Sequence, residues 1–402
     1  MFIFPYFSNL RFSGFNDEWY EFKLNDISER ITRKNKKLET DRPLTISAQY
    51  GLVDQIEYFD KIVASDSLIN YYLLYNGEFA YNKSYSNGYP FGAVKRLDDY
   101  EHGAISTLYI CFKVNDKMNS DLLNEYFETD KWYKEIYKIA VEGARNHGLL
   151  NIAVGDFFNT KHILPTNPKE QEKLAKFFIE INRKIGLLEK KHQAFLDFKK
   201  YLMQQIFTQK LRFDFKEEWY ELLLKEVAFI PKKNKLNSVN DLKLLTVKLH
   251  TKGIEVNEKI KPKLTKKGRP YYIRRYGELL IGRQNFHNGG IGIIPKSLDG
   301  GICSNAISSF RVFEDKININ FLYYFLARSE YYIRSERLIG GTGQKEFSEK
   351  ELLNLKIILP SLEEQCKIVD FLLSVDAKIN ICEYQLKKSQ EFKKGLLQQM
   401  FV

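Results

Sequence analysis

The chain is written twice. Residues 170–207 align with 364–401 without a gap at an offset of 194, and fourteen of these 38 positions are identical. The identities include Glu170-Gln171 with Glu364-Gln365, Phe198-Lys199-Lys200 with Phe392-Lys393-Lys394, and Gln204-Gln205 with Gln398-Gln399. The openings match as well. Leu10-Arg11-Phe12, then Asp17-Glu18-Trp19-Tyr20-Glu21, corresponds to Leu211-Arg212-Phe213, then Glu217-Glu218-Trp219-Tyr220-Glu221. Between these ends recur a basic cluster (Arg33-Lys34-Asn35-Lys36 and Lys232-Lys233-Asn234-Lys235), a Tyr-Tyr pair (Tyr71-Tyr72 and Tyr271-Tyr272) and a Gly-Glu pair (Gly77-Glu78 and Gly277-Glu278). Six residues after each of these glycines stands a cation, Lys83 and Arg283. A period near 200 residues is too long for a solenoid and means two whole domains. The length of 402 residues agrees, at roughly 150 residues per domain.

Each copy has two parts. The first, about 150 residues long, mixes short β-branched and aromatic runs such as Leu108–Phe112 with helical stretches at Ser120–Ala140 and Asn320–Leu338, which reads as α+β. The second part is one long helix. In copy one, Asn167-Pro168-Lys169-Glu170 supplies a cap, a proline at the first helical position and a carboxylate at the third. In copy two, Ser361-Leu362-Glu363-Glu364 reads as a capping box. An apolar run ending in Leu-Pro precedes each start (Ile163-Leu164-Pro165 and Ile357-Ile358-Leu359-Pro360) and reads as a strand feeding the helix.

A heptad runs through both helices. In copy one its seam is Leu174, Phe178, Ile181, Ile185, Leu188, His192, Phe195, Lys199, Leu202 and Ile206. In copy two it is Ile368, Leu372, Val375, Ile379, Cys382, Leu386, Ser389, Lys393, Leu396 and Met400. An exposed apolar seam is costly, so the two helices are expected to pair as a coiled coil about 57 Å long. The polar seam members are expected towards one end of that rod.

Enzyme chemistry finds no foothold. No Gly-Lys dipeptide occurs, so a P-loop is excluded. No Pro-Pro pair occurs, so the Asn/Asp-Pro-Pro-aromatic motif of amino-methylating DNA methyltransferases is excluded too. Gly289-Gly290-Ile291-Gly292 is followed closely by Pro295 and reads as a turn, not as a dinucleotide fingerprint. The six histidines are scattered, and no metal-ligand spacing is present. The four cysteines form no CxxC pair and suit buried thiols in a reducing cytoplasm. No run approaches the roughly 18 apolar residues of a membrane span. Met1–Leu10 lacks a basic region and a cleavage site and reads as folded.

What remains is a binding protein with two copies of one reader. The formal charge of +11 suggests a polyanion. It is unevenly spread. Residues 1–160 hold 18 basic and 23 acidic side chains, a net −5, whereas residues 211–358 hold 27 and 17, a net +10. Lys and Arg neutralise phosphates, while Arg, Lys, Gln and Asn read base edges. The candidates for DNA contact are Arg33, Lys34, Lys36 and Lys83 in copy one. In copy two they are Lys232, Lys233, Lys235, Arg274, Arg275, Arg283, Gln284 and, in the open glycine-rich run Gly340–Gln344, Gln344. Matched cations can instead reflect a shared structural role, because residues that read two different sequences should differ between the copies.

The two Leu-Arg-Phe…Glu-Trp-Tyr openings and the two Leu-Pro…Glu-Gln helices closing in Lys-Lys…Gln-Gln-Ile/Met-Phe make the whole chain resemble the specificity subunit of type I restriction-modification systems. The resemblance implies two target-recognition domains with a pseudo-twofold relation, joined by two long helices pairing as an antiparallel coiled coil. Residues 1–160 and 211–358 would be the readers, and 161–210 and 359–402 the spacer. Such a subunit is non-catalytic and cytoplasmic, and it reads a bipartite target in double-stranded DNA. It binds two modification subunits that methylate adenine N6, and restriction/translocase subunits join them. The resemblance implies no cofactor on this chain: S-adenosylmethionine, ATP and Mg would sit on the partners. The competing readings are a nucleic-acid-binding coiled-coil scaffold and the specificity subunit of a multisubunit type II enzyme.

Overall fold

The computed structural model describes residues 8–60, 67–140, 150–234, 236–264, 268–335 and 346–402. The chain divides into two compact units, Met1–Lys190 with Glu383–Val402, and Lys191–Cys382. Each unit contains one mixed domain and one end of each long helix, Pro168–Phe207 and Leu362–Met400. The segments that the sequence set apart as spacer are therefore divided between the two units.

The two domains repeat one topology. In unit 1 a four-stranded antiparallel sheet runs Ser28–Ile31, Ile110–Val114, Phe79–Asn82, Ala93–Arg96. In unit 2 the order is Ala228–Phe229, Ile307–Val312, Leu279–Gly282, Ile291–Ile293. A second layer in unit 1 runs Gly51–Asp54, Pro43–Ser47, His102–Ile105, Tyr72–Tyr75, its central pair parallel. Unit 2 builds the same layer from two hairpin-like pairs, Leu245–Val247 with Ile254–Val256 and Tyr271–Ile273 with Ile302–Ser304, linked by a parallel bridge from Leu244 to Ile302. Both layers need a glycine where the two strands cross. A Cβ on Gly103 would lie 2.5 Å from the Leu44 side chain, and one on Gly301 would lie 2.7 Å from Leu245. The repeated Gly-Glu is a left-handed turn in both units, with Gly77 at φ +83° and Gly277 at φ +78°. The stretches read as single helices are each two, Ser120–Tyr126 with Tyr133–Ile139 and Ile319–Leu326 with Ser329–Ser335. In unit 1, Thr129 breaks the run by turning its hydroxyl onto the Tyr126 carbonyl.

The most repeated motifs converge on one buried carboxylate per unit. In unit 1, Arg11 donates twice to Glu170, at 2.6 and 2.7 Å, and the Trp19 indole donates to it at 3.4 Å. In unit 2, Arg212 donates twice to Glu364, both at 2.9 Å, and Trp219 donates at 3.2 Å. The neighbouring glutamines tie the helix start to the domain. Gln171 Nε2 donates to the carbonyls of Pro165 and Lys117, and its Oε1 accepts from Asn119 N–H. Gln365 does the same with Pro360, Lys316 and Asn318. Ser361 accepts from Glu364 N–H as a cap should, but the Glu364 carboxylate turns to Arg212 and Trp219 instead of closing the capping box.

The closing phenylalanines complete the junction. Phe401 packs on Trp19, Tyr126 and Phe178, while Phe207 packs on Trp219, Phe321 and Phe325. Each junction thus joins the start of one long helix to the end of the other. In unit 1, residue 178 meets 401 and 189 meets 390, so the helices run antiparallel. No seam position of the heptad is exposed.

The seam lysines are not gathered at one end. Lys393 lies in unit 1 and Lys199 in unit 2, at equivalent heptad positions. Lys393 Nζ lies 2.9 Å from buried Glu125, which also accepts from Asn182 at 2.6 Å. Lys199 Nζ lies 2.5 Å from Asp376, which accepts from the Tyr324 hydroxyl at 2.6 Å. Glu125 and Tyr324 are each the sixth residue after the capping asparagines Asn119 and Asn318, and Asn182 aligns with Asp376. The carboxylate has therefore changed places between the domain and the helix.

His162 is buried in unit 1, where the Tyr126 hydroxyl lies 3.1 Å from Nδ1 and the Thr160 hydroxyl 2.8 Å from Nε2. Its strand partner is Phe22, whereas the equivalent partner of Leu222 in unit 2 is Ile357. Three cysteines are buried and Cys366 is exposed. No described helix is long and apolar enough to cross a membrane.

Two outcomes are expected. Glu364→Ala leaves the Trp219 indole without an acceptor and Arg212 with only the Glu217 carbonyl, and should lower stability to urea by more than the loss of one hydrogen bond. Trp219→Phe removes a single hydrogen bond and should cost about 1 kcal/mol. Equal losses would show that the carboxylate is not the hub. Burial also pushes the His162 pKa down to about 4 from its ordinary 6.5. The folded state then binds fewer protons than the unfolded one, so stability is full above pH 6.5 and falls as pH drops towards 4. Between pH 7 and 5 the wild type should lose roughly 2 kcal/mol at this site. His162→Leu should flatten that dependence, and an unchanged slope would assign it to other groups.

Candidate nucleic-acid interface

Most of the cations singled out by the sequence are held by partners within their own unit. Arg33 donates to the Leu73 carbonyl at 3.0 Å and to Glu78 at 2.6 Å, with its guanidinium 4.2 Å above the Tyr75 ring. Lys34 donates to the Asn70 carbonyl and sits 4.1 Å above Tyr72. Its counterpart Lys233 sits 5.8 Å above Tyr272 and pairs with Glu349. The repeated Tyr-Tyr thus serves as a seat for the repeated basic cluster. Arg274 is only 2% exposed and donates to the Ile307 carbonyl at 2.7 Å. Arg275 is exposed and lies 3.7 Å from Asp299. Lys36 and Lys232 are exposed. Lys235 and Gln344 lie outside the described residues.

Lys83 and Arg283 are equivalent in fold as well as in sequence. The carbonyl of Lys83 accepts from Leu150 N–H at 2.9 Å, and that of Arg283 accepts from Phe347 N–H at 3.1 Å. Both stand just past the end of the central strand of their sheet. Their side-chain surroundings differ. In unit 1 a cavity of about 280 Å³ opens there, lined by Leu44, Gln55, Asn82, Lys83, Ser106 and Tyr109 among others. In unit 2 Arg283 Nη2 lies 2.6 Å from Glu346, and Gln284 Nε2 donates to the other oxygen of that carboxylate at 3.2 Å. Nearby, Glu349 takes Lys233 and the Ser308 hydroxyl. Burial alone would raise the Glu349 pKa, but Lys233, Ser308 and Arg283 outweigh it and hold the carboxyl below its usual range.

The neighbouring hairpins diverge in the same way. Strands Pro43–Ser47 and Gly51–Asp54 are joined by Ala48-Gln49-Tyr50, with no cation. In unit 2 the turn after Leu245–Val247 carries Lys248, His250 and Lys252. Its tip is pinned by hydrogen bonds of 2.8 Å from His250 N–H to the Asn288 carbonyl and from Thr251 N–H to that of Gly289. Sequence reasoning missed Glu346 and Glu349, because neither carries a repeated motif. It saw Arg11, Trp19 and Glu170 as repeats but gave them no task.

The arrangement is a rigid, duplicated framework whose exposed edge differs between the copies in charge and in hydrogen-bonding groups. Residues 216–389 match the family described as type I restriction modification DNA specificity domain. The chain is 25% identical to the type I restriction enzyme MjaVIII specificity subunit of Methanocaldococcus jannaschii, over 94% of this chain and 90% of that one. Its fold is that of the type I restriction-modification S subunit from M. genitalium, with TM-score 0.59 and 13% identity over 99% of both chains. It is also that of a chain from a structure on complex assembly and conformational transition of the type I R-M system, with TM-score 0.52 and 17% identity over 95% and 97% of the two chains. Residues 216–389 are thus similar to a type I DNA specificity domain, and the chain along almost all of its length is similar to a type I specificity subunit.

Proposed function

We propose that this chain is the sequence-specific DNA-binding specificity subunit of a type I restriction-modification enzyme, reading a bipartite target in double-stranded DNA. One observation carries the reading: the two units share their framework motif by motif and differ where side chains meet solvent. A shared framework sets the pose on the duplex, and unlike edges recognise unlike half-sites. The chain itself is non-catalytic in this reading. It positions two adenine-N6 modification subunits and the restriction/translocase subunits, which carry S-adenosylmethionine, ATP and Mg. The outer faces of the long helices suit docking of those subunits, since they expose Leu187, Phe198 and Tyr201 on the first and Ile381, Tyr384 and Phe392 on the second. Unit 1 has a net acidic domain, so its contact with DNA rests on local cations such as Lys36 or on those of a bound partner.

The test is selection from a random duplex library by the chain assembled with its modification subunits. A motif of two short half-sites separated by a fixed gap is expected, and the host genome should be methylated at the same motif. Enrichment of a single continuous site, or none, overturns the reading. Inserting one heptad into each long helix at matched positions adds about 10.5 Å and should widen the gap by about three base pairs. A gap that ignores helix length removes the ruler role.

A further inference from the structure

We propose that Arg283 and Glu346 together read one G·C base pair of the half-site contacted by unit 2, an assignment that rests on the DNA-reading function above. Three observations lead there. First, the pair is charge-balanced. Phosphate binding draws on uncompensated cations, and Arg283 is already paired with Glu346 at 2.6 Å. Base edges instead call for donors and acceptors side by side. A guanidinium donates to guanine N7 and O6, and a carboxylate accepts from the N4 amino group of the paired cytosine. Second, the site holds polar atoms with no partner among the described residues. Arg283 Nε and Asn305 Oδ1 are buried and unsatisfied. Asn305 precedes Ala306, whose carbonyl accepts from Arg283 N–H at 3.0 Å, so the two orphans belong to neighbouring strand ends. A buried orphan in a folded protein marks either strain or an absent ligand.

Third, the pair is supported from beneath. Gln284 holds the second oxygen of Glu346, and the Phe347 N–H to Arg283 carbonyl bond fixes the backbone next to both side chains. This fixes the rotamers before DNA arrives, so little side-chain entropy is lost on binding. Unit 1 carries Lys83 in place of Arg283, within a cavity lined by the amides of Gln55 and Asn82 and the hydroxyls of Ser106 and Tyr109. Among the described residues that lining offers no carboxylate, and it suits a different base pair. The framework position is shared, and the reading groups are not.

The experiment is random-duplex selection with the full chain bound to its modification subunits, comparing wild type, Arg283→Ala and Glu346→Gln. Thermal unfolding of each variant runs alongside. The wild-type motif should hold one G·C pair in one half-site that becomes degenerate in both variants, with discrimination there falling roughly 5- to 150-fold. Every other position should stay as it was. The isosteric Glu346→Gln keeps the packing and serves if Arg283→Ala does not fold. If both variants lose affinity equally on all sequences, the pair is structural or a phosphate contact, and the proposal falls. An unaltered motif overturns it as well, while leaving the subunit reading intact. Absence of any motif for the wild type removes both.

Discussion

Each unit depends on one buried carboxylate that is claimed by two distant donors. Glu170 and Glu364 sit at the third position of a long helix, where the helix N-terminus already favours negative charge. Neither carboxylate can be left unpaired in an apolar setting. Arginine and tryptophan from the opening of the same copy satisfy it, more than 140 residues away along the chain. This closes each domain onto its helix. The adjacent glutamine then binds three backbone groups. A closing phenylalanine from the other long helix seals the apolar side. These demands explain why the same few residues stand at the same places in both copies while the sheets between them have diverged.

The cations obey a different logic. A net charge of +11 suggests an open basic face. Yet Arg33, Lys233, Arg283 and Arg311 all have carboxylate partners, and Arg33 and Lys233 lie over tyrosine rings as well. The two Gly-Glu turns show how freely such pairings are reassigned. Glu78 takes Arg33, whereas Glu278 takes Arg311 and the Ser309 hydroxyl. The turn is kept because the backbone needs it, and the side chain that neutralises it is whichever cation the local sheet brings near. Counting charges therefore overstates the surface on offer to a polyanion.

Much of the framework was legible in the sequence because it is written in local signals. The two long helices, their caps and their apolar seam all follow from spacing within a few residues of one another, and the duplication from matching such local motifs between the copies. The seam residues His192 and Ser389 were readable as interior for that reason. What could not be read is which distant groups meet. At the two breaks the side chains of Thr129 and Arg328 fold back onto the Tyr126 and Phe325 carbonyls, contacts that no local spacing announces. The partner of Arg283 lies 63 positions further on, at a residue that belongs to no repeated motif. Repetition pointed to the parts that hold the molecule together, and by the same token was silent about the parts that differ.

The exchanged carboxylate beneath the seam lysines limits how such a chain could be rebuilt by recombination. A domain from copy one brings Glu125, and the turn of helix below it supplies a neutral Asn182. A domain from copy two brings Tyr324, and the turn below it supplies Asp376. Joined at the domain boundary alone, one hybrid would crowd two carboxylates around a single lysine. The other would bury a lysine with no counter-charge. The heritable module is therefore longer than the domain, and a viable crossover must carry the first turns of the long helix along with it.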